Sequence, residues 1–436
     1  MQKTFLILIL SLFSLMASAV ENYPYKSDYL WYTVPNHKDW LYKVGEKASI
    51  DVMFLKYGMP QDGSIEYEVA DEGCDADQQG TVTLKDGKTV IEGITSRQPG
   101  FRDVRLKLKL DGTTYQHHVK IGFSPEKIVP YTQEPNDFVS WWQNDIQESE
   151  KYPLKYTREL YEPYCTDKVD CYLVRIEINR QHQCMYGYLM CPKNMKQGSH
   201  PVVLCPPGAG IKPIREPNTR NYYPENGIIR LIMEIHGFNP TLDESTFEAI
   251  RAAFDGKVKG YLYQGLDNRE NYYMRHVYEG LVKCVDFLTS MPEWDGKNVI
   301  LQGGSQGGGL SLVVAGLDRR VTHVVANHPA LADMARAAEG GVSGYPHFTA
   351  KDGMLTSDKL NTMAYFDAVN FARHITARTY LTWGYNDNTC PPTTSYAVWN
   401  VLTCPKECLI TPINEHWTSD VTNRQQCTWI LEHLIR

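Results

Sequence analysis

The segment that most constrains the fold of this 436-residue chain runs from Val299 to Gly309. An apolar stretch leads into a glycine-rich turn, which carries Gly303, Ser305 and Gly307 in Gly-x-Ser-x-Gly spacing, and a helix-like stretch follows. A serine in a tight strand-to-helix turn needs small residues two positions before and after it, because side chains there would clash. The pattern predicts a nucleophile elbow, with Ser305 at a helix N-terminus whose free N–H groups favour a developing negative charge.

A serine nucleophile needs a base and an orienting acid, which follow such an elbow in the order serine, acid, histidine. Asp387 lies just past the apolar strand Tyr380–Trp383 and ahead of a rigid Pro-Pro turn. His416 follows the next predicted strand, Glu407–Thr411, and fits the base. A Walker phosphate loop, the alternative for a glycine-rich turn, needs Gly-Lys-Ser or Gly-Lys-Thr, which this turn lacks.

Two further residues compete for these roles. Glu415 is a weaker candidate for the acid, because it follows the last strand rather than the end of the preceding one. His433 is the only histidine after His416, and it lies in a predicted terminal helix. We therefore expect Ser305, Asp387 and His416 to form a catalytic triad.

The reaction also needs two N–H donors for the oxyanion. Gln306, directly after the nucleophile, is expected to supply one, and the loop after the strand Pro201–Cys205 is expected to supply the other. That loop opens with two prolines, which have no N–H, so either Gly208 or Ala209 must be the second donor.

Residues 20–125 have the period of β-strands. Apolar and polar residues alternate in short runs, and Asp-Gly pairs mark two hairpin turns. The predicted strands include Ser49–Phe54 and Ser64–Val69, and Val104–Leu110 is the clearest case. Several short strands over about 100 residues predict an all-β, immunoglobulin-like sandwich domain.

Residues 126–436 change to a mixed pattern that opens with a helix at Phe138–Lys151. Continuous apolar strands then alternate with helical stretches, which predicts an α/β domain with a doubly wound, mostly parallel sheet covered on both faces. The predicted strands are Pro201–Cys205, Ile228–Glu234, Val299–Gln302, Val321–Ala326, Tyr380–Trp383 and Glu407–Thr411.

Met1–Ala19 has the pattern of a secretory signal peptide, with Lys3, the apolar run Phe5–Met16 and a small-residue cleavage site. That run is too short to span a bilayer. We expect a bacterial protein that is exported to the periplasm or beyond and has no membrane span. The net charge of −7 excludes the basic footprint of a nucleic-acid binder.

The 11 cysteines carry less information. Export permits disulfides, and the close pairs Cys165/Cys171 and Cys404/Cys408 are candidates. Neither Cys-x-x-Cys nor His-Glu-x-x-His occurs, so we expect no structural metal.

Several motifs together resemble those of one enzyme family. The turn Gly303–Gly309 resembles its nucleophile motif, Ala364–Ala372 is similar to its Ser-Tyr-Phe-Asp-Gly-Val-Asn-Phe-Ala segment, and Asp387–Thr394 is similar to its Asp-x-x-Cys-Pro-Pro-Ser-Thr acid motif. Over about Ile128 to Arg436 the chain thus resembles the acetyl xylan esterase / cephalosporin C deacetylase family of carbohydrate esterases, which have the α/β-hydrolase fold. The resemblance implies the same triad.

Three motifs depart from the family pattern. The family's Arg-Gly-Gln is His236-Gly237-Phe238, its His-Glu is His416-Trp417, and its Gly-Tyr-Asn-Gly oxyanion loop is Pro207–Gly210. A gapless match in that loop implies Gly208 as the donor beside Gln306. Members of the family form ring-like assemblies. The resemblance therefore implies a homo-oligomer as one of two alternatives for this chain, the other being a monomer.

The resemblance implies a serine esterase, without cofactor, that removes acetyl or other small acyl groups from plant polysaccharide or oligosaccharide. An acylated carbohydrate is thus the expected substrate, and no nucleic acid or metal is expected. A serine peptidase of prolyl-oligopeptidase type shares this fold and residue order, and is the first alternative. An inactive glycan-binding relative is the second.

Overall fold

The computed structural model describes residues 28–179, 183–258 and 260–436, so the predicted signal peptide Met1–Ala19 lies outside the described residues. The chain forms two compact units. The described part of the first unit consists of residues 28–70, Ala76–Arg97 and Arg102–Ile121. The second consists of Asp71–Asp75, Gln98–Phe101 and Gly122–Arg436, and so includes two segments that precede the predicted boundary at residue 126.

Nine strands between Tyr29 and Phe123 form two sheets. The strands are β1 (Tyr29–Pro35), β2 (Leu41–Tyr42), β3 (Ala48–Lys56), β4 (Met59–Pro60), β5 (Gly63–Asp71), β6 (Ala76–Leu84), β7 (Lys88–Ile94), β8 (Gly100–Leu110) and β9 (Thr113–Phe123). One sheet has the order β1–β3–β4, with β7 also paired to β3, and the other has the order β2–β9–β8–β5–β6.

The structure confirms the strands that the alternating pattern predicts, because alternate side chains along them are buried and exposed. In β3, Ile50, Val52 and Phe54 are buried while Asp51 is exposed. The three predicted strands fall within β3, β5 and β8. Both Asp-Gly pairs have positive φ at each residue, 49° and 71° at the first pair and 51° and 76° at the second, as a two-residue hairpin turn requires. The immunoglobulin-like arrangement of the sheets stays a prediction.

The second unit is built on a nine-stranded sheet in the order β10–β11–β12–β14–β13–β15–β16–β17–β18. Its strands are β10 (Lys155–Leu160), β11 (Val169–Glu177), β12 (Cys184–Pro192), β13 (His200–Cys205), β14 (Ile229–Glu234), β15 (Trp294–Gly304), β16 (His323–Asn327), β17 (Arg378–Trp383) and β18 (Lys406–Ile410). All neighbours from β14 to β18 pair in parallel. This confirms the mostly parallel sheet, and β10–β12 extend it with antiparallel strands.

Helices separate the parallel strands along the chain. They are α1 (Phe138–Glu150), α2 (Tyr222–Glu225), α3 (Glu244–Val258), α4 (Met274–Thr289), α5 (Gln306–Leu317), α6 (Ser357–Phe366), α7 (Ala368–Ala372), α8 (Pro392–Val401) and α9 (Asp420–His433). The apolar stripe of α4, from Val277 to Leu288, is buried. The predicted helix at Phe138–Lys151 is confirmed as α1.

All the cysteines lie in described residues and are free thiols, so the candidate disulfides Cys165/Cys171 and Cys404/Cys408 are not formed. The Cys165 sulfur instead accepts a hydrogen bond from the Cys171 N–H at 3.3 Å. Among the described helices, none is long and apolar enough to cross a membrane.

Candidate active site

Ser305 occupies the turn between β15 and α5 with φ 58° and ψ −126°, a positive-φ conformation that non-glycine residues rarely adopt. The flanking glycines make room for it. A Cβ atom on Gly303 would lie 2.4 Å from the Gly307 carbonyl, and one on Gly307 would lie 2.4 Å from the Pro206 carbonyl oxygen. The Ser305 N–H donates to the Asn327 carbonyl at 3.0 Å, which fixes the turn to β16. The structure therefore has the strained elbow that the motif predicts.

Asp387 and His416 form a direct pair. His416 Nδ1 lies 2.8 Å from Asp387 Oδ2, so an Nδ1–H donates to the carboxylate and Nε2 is left as the basic nitrogen. The other oxygen, Oδ1, accepts the N–H groups of Thr389 at 2.7 Å and Cys390 at 2.8 Å. The Asp387 side chain is fully buried, so these bonds fix its position.

The loops that carry the acid and the base are bonded to each other. The Tyr385 N–H donates to the Pro412 carbonyl at 3.2 Å, and the Asn386 N–H donates to the Asn414 carbonyl at 3.1 Å. A Cβ atom on Gly384 would lie 2.1 Å from the Asn414 oxygen, so only glycine permits this close approach. The two loops thus hold the Asp–His pair as one element.

The competing candidates do not occupy these positions. Glu415 is exposed, and Asp387 is the carboxylate at His416 Nδ1. His433 lies at the end of α9, where its Nδ1 is 2.8 Å from the Trp429 carbonyl oxygen of the same helix.

Two residues that the sequence did not assign to catalysis lie at this site. The Cys390 thiol is within hydrogen-bonding reach of the Ser305 hydroxyl, and burial raises its pKa well above the usual value. The His328 ring centroid is 4.3 Å from that of His416, and burial, with a smaller contribution from His416, lowers the pKa of His328 to about 4. His328 is therefore neutral at pH 7. Cys390 falls within the acid motif, which was its only signal in the sequence.

No hydrogen bond joins Ser305 to His416 within the described residues. Such bonds are often long in a free enzyme and shorten when substrate binds. His328, Asp387 and His416 also have potential metal-ligand atoms within 4.8 Å of one another. Asp387 and His416 bond to each other through Nδ1, as a serine–histidine–aspartate triad requires.

The expected oxyanion donors lie in a bonded framework. The Gln306 side chain is fully buried, and its Oε1 accepts the Tyr261 hydroxyl at 2.6 Å. The same hydroxyl accepts the Gly210 N–H at 3.2 Å. Among the described residues neither Gly208 nor Ala209 donates a backbone hydrogen bond, so both remain candidates for the second donor. Gly208 stays a prediction.

The motif His236-Gly237-Phe238 is a turn closed by a buried carboxylate. Glu234 accepts the His236 N–H at 2.7 Å and the Phe238 N–H at 2.9 Å, and burial raises its pKa to about 7. His236 Nδ1 lies 2.8 Å from the Tyr273 hydroxyl, and burial lowers its pKa to about 3. A neutral imidazole thus stands where the related family has an arginine.

A mostly parallel α/β sheet, a strained serine between a strand and a helix, and a buried Asp–His pair at the ends of later strands define an α/β-hydrolase. The acetyl xylan esterase (AXE1) family model matches residues 126–433. The chain belongs to the acetyl xylan esterase family, and it is a serine esterase.

Known relatives agree with this assignment. "Acetyl esterase Axe7A" of Xylanibacter ruminicola is 55% identical over 430 residues, which cover 99% of this chain and 96% of that protein. The acetyl xylan esterase structure from Paenibacillus sp. R4 is 27% identical, with a TM-score of 0.62 over 71% of this chain and 98% of its own. That from Thermoanaerobacterium sp. JW/SL YS485 is 23% identical, with a TM-score of 0.61 over 71% and 97%, and shows the shared fold. Family membership favours the esterase over the serine peptidase.

Proposed function

We propose that this esterase removes acetyl or other small acyl groups from plant polysaccharide or oligosaccharide, with Ser305, Asp387 and His416 as its triad. The observation that carries the proposal is the 2.8 Å contact between His416 Nδ1 and the buried Asp387 carboxylate, on loops bonded to each other. The names of the relatives, an acetyl esterase and acetyl xylan esterases, support the acyl group and the substrate class.

The mechanism follows from these positions. Ser305 Oγ attacks the acyl carbonyl carbon while His416 Nε2 takes its proton, and Asp387 stabilises the resulting imidazolium. The N–H groups of Gln306 and Gly208 bind the oxyanion. Return of the proton to the sugar oxygen releases the alcohol and leaves an acyl ester on Ser305. Water, deprotonated by His416, then releases acetate and restores the serine.

The proposal is tested by acetate release from acetylated xylan and by hydrolysis of p-nitrophenyl esters of increasing acyl length. The parent chain is expected to release acetate and to prefer the acetyl ester, whereas Ser305→Ala is expected to do neither. Equal turnover by the two chains would overturn the triad. A preference for long acyl chains, with no acetate released from xylan, would overturn the substrate class.

We also propose export to the periplasm or the cell exterior, on the pattern of Met1–Ala19. The test is N-terminal sequencing of the mature protein from fractionated cells. A mature chain that begins at Val20 outside the cytoplasm is expected, and an uncleaved cytoplasmic chain would contradict export.

A further inference from the structure

Two short segments ahead of the family-matched residues belong to the same compact unit as the active site. They are Asp71–Asp75 and Gln98–Phe101, and the family match begins at residue 126. They bond to each other, since the Glu72 N–H donates to the Phe101 carbonyl at 3.0 Å. Each provides one buried side chain to the elements around the catalytic acid.

Phe101 packs beside the residues that lead into the acid. Its side chain is almost fully buried, with ring centroids 5.0 Å from Tyr385 and 5.8 Å from Tyr396. The two tyrosine hydroxyls lie 3.3 Å apart. Tyr385 is two residues before Asp387, and its N–H is bonded to the loop that leads to His416. Phe101 thus supports the acid loop where it leaves β17.

Glu72 acts on the other end of the same loop. Its buried carboxylate Oε2 accepts the N–H of Thr393 at 3.3 Å. Thr393 is the second residue of α8, which begins directly after the turn that bonds Asp387 Oδ1. The first N–H groups of a helix have no partners within it, and a carboxylate there is also favoured by the helix dipole.

We propose that Phe101 and Glu72 are positioning residues for Asp387, so that the part of the chain ahead of residue 126 completes the catalytic unit. Phe101 acts through Tyr385, and Glu72 acts through Thr393. Without them the acid loop would keep its own hydrogen bonds but lose its buried supports on both sides. The proposal rests on the proposed function for the role of Asp387.

The test uses the full-length chain with Phe101→Ala and Glu72→Ala, and p-nitrophenyl acetate as substrate. Turnover is expressed per active site after titration with an aryl phosphonate, which removes misfolded chains from the comparison. We expect kcat to fall by about 10- to 100-fold with KM unchanged, because small displacements of catalytic groups have effects of this size. The acidic limb of the pH profile of kcat/KM should move to lower pH, because a displaced Asp387 stabilises the imidazolium less.

Phe54→Ala is the matched control. Phe54 is equally buried, and its three ring partners, Trp31 at 4.8 Å, Tyr115 at 5.1 Å and Tyr29 at 6.1 Å, lie in the first unit. The Phe54→Ala variant should keep the parent kcat and the parent pH profile of kcat/KM. If Phe101→Ala does not fold, Phe101→Leu and Glu72→Ala provide the same comparison.

Parent values of kcat and pH profile in both Phe101 and Glu72 variants would overturn the proposal, as would an equal loss in Phe54→Ala. Failure of the proposed function has a different signature, since the parent chain itself would then turn over no better than Ser305→Ala.

Discussion

Asp387 is held through both of its carboxylate oxygens. One carboxylate oxygen accepts two backbone N–H groups, and the other faces His416. A buried carboxylate held in this way orients the imidazole and stabilises its charged form during proton transfer.

The first prediction concerns this carboxylate. Asp387→Asn keeps the shape of the side chain but removes the charge that the imidazolium needs, and we expect kcat to fall by about 10⁴-fold. Glu415→Gln, which alters the exposed carboxylate next to His416, should leave kcat within about twofold, as is usual for exposed positions. Steady-state turnover of p-nitrophenyl acetate measures both. A large loss in Glu415→Gln with none in Asp387→Asn would reverse the assignment.

At this scale chain order carries the prediction of the triad, and the structure brings two of its residues, Asp387 and His416, together. Ser305, Asp387 and His416 follow from the elbow, the ends of two strands and the order of the residues. Sequence patterns predict His328 only as part of a pocket-lining loop, because its place 4.3 Å from the His416 ring depends on how β16 lies beside β17. Local patterns contain no information on that distance.

At the scale of elements, the 3-10 helix Tyr261–Tyr263 connects the two parts of the expected oxyanion hole. The buried Tyr261 hydroxyl donates to Gln306 at the start of α5 and accepts from Gly210 in the loop after β13. This single hydroxyl therefore sets the spacing between the elements that carry the two expected N–H donors.

The second prediction follows from that link. Tyr261→Phe removes both hydrogen bonds, at about 1 kcal/mol each, and we expect kcat to fall by about 10- to 30-fold with little change in KM. Tyr263→Phe is the control within the same helix, since Tyr263 packs on Phe348 and should keep the parent kcat. Steady-state kcat and KM of both variants test this prediction. A rise in KM without a fall in kcat would mean that Tyr261 serves substrate binding instead.

The parallel strands of the second unit were predicted, because a strand buried on both faces is continuously apolar. The antiparallel strands β10–β12 were not predicted. In β10 five of six residues are exposed, so the strand lacks both the continuous and the alternating apolar pattern. Its position is set by pairing with β11 rather than by its own sequence.

At the scale of the whole molecule, buried ionisable groups make stability depend on pH. Burial raises the pKa of Glu234 from 4.5 to about 7. Its contribution to stability is therefore complete below pH 4.5, where the unfolded chain is also protonated, and is lost as pH rises through about 7. Burial lowers the pKa of His236 to about 3 and that of His276 to about 4, so their contribution is present above pH 6.5 and lost as pH falls.

The third prediction isolates the carboxyl group. Glu234→Gln cannot ionise, while the histidines are common to both chains and cancel in the comparison. We expect the unfolding free energy of the parent to fall relative to that of Glu234→Gln by about 3 kcal/mol between pH 4.5 and 8. Urea unfolding across this range measures the difference. Loss of one acceptor oxygen adds an offset that does not vary with pH, so a difference that stays constant with pH would contradict the prediction.

The division of the chain into two units was the least predictable feature. The change of period near residue 125 is visible in the sequence, whereas the membership of Asp71–Asp75 and Gln98–Phe101 in the second unit is not. Phe101 contacts Tyr385, which lies 284 positions further along the chain. Strand periodicity describes only neighbouring residues, so it cannot predict this contact.

The most direct measurement of the central claim, that Ser305 is the nucleophile of an acyl-carbohydrate esterase, is covalent labelling with an aryl phosphonate, followed by digestion and mass spectrometry. We predict one phosphonyl group per chain, on Ser305, with loss of turnover in proportion to labelling and slower labelling in the presence of acetylated xylo-oligosaccharide. A label on another residue, or a Ser305→Ala chain that is labelled and turns over as the parent does, would contradict the claim.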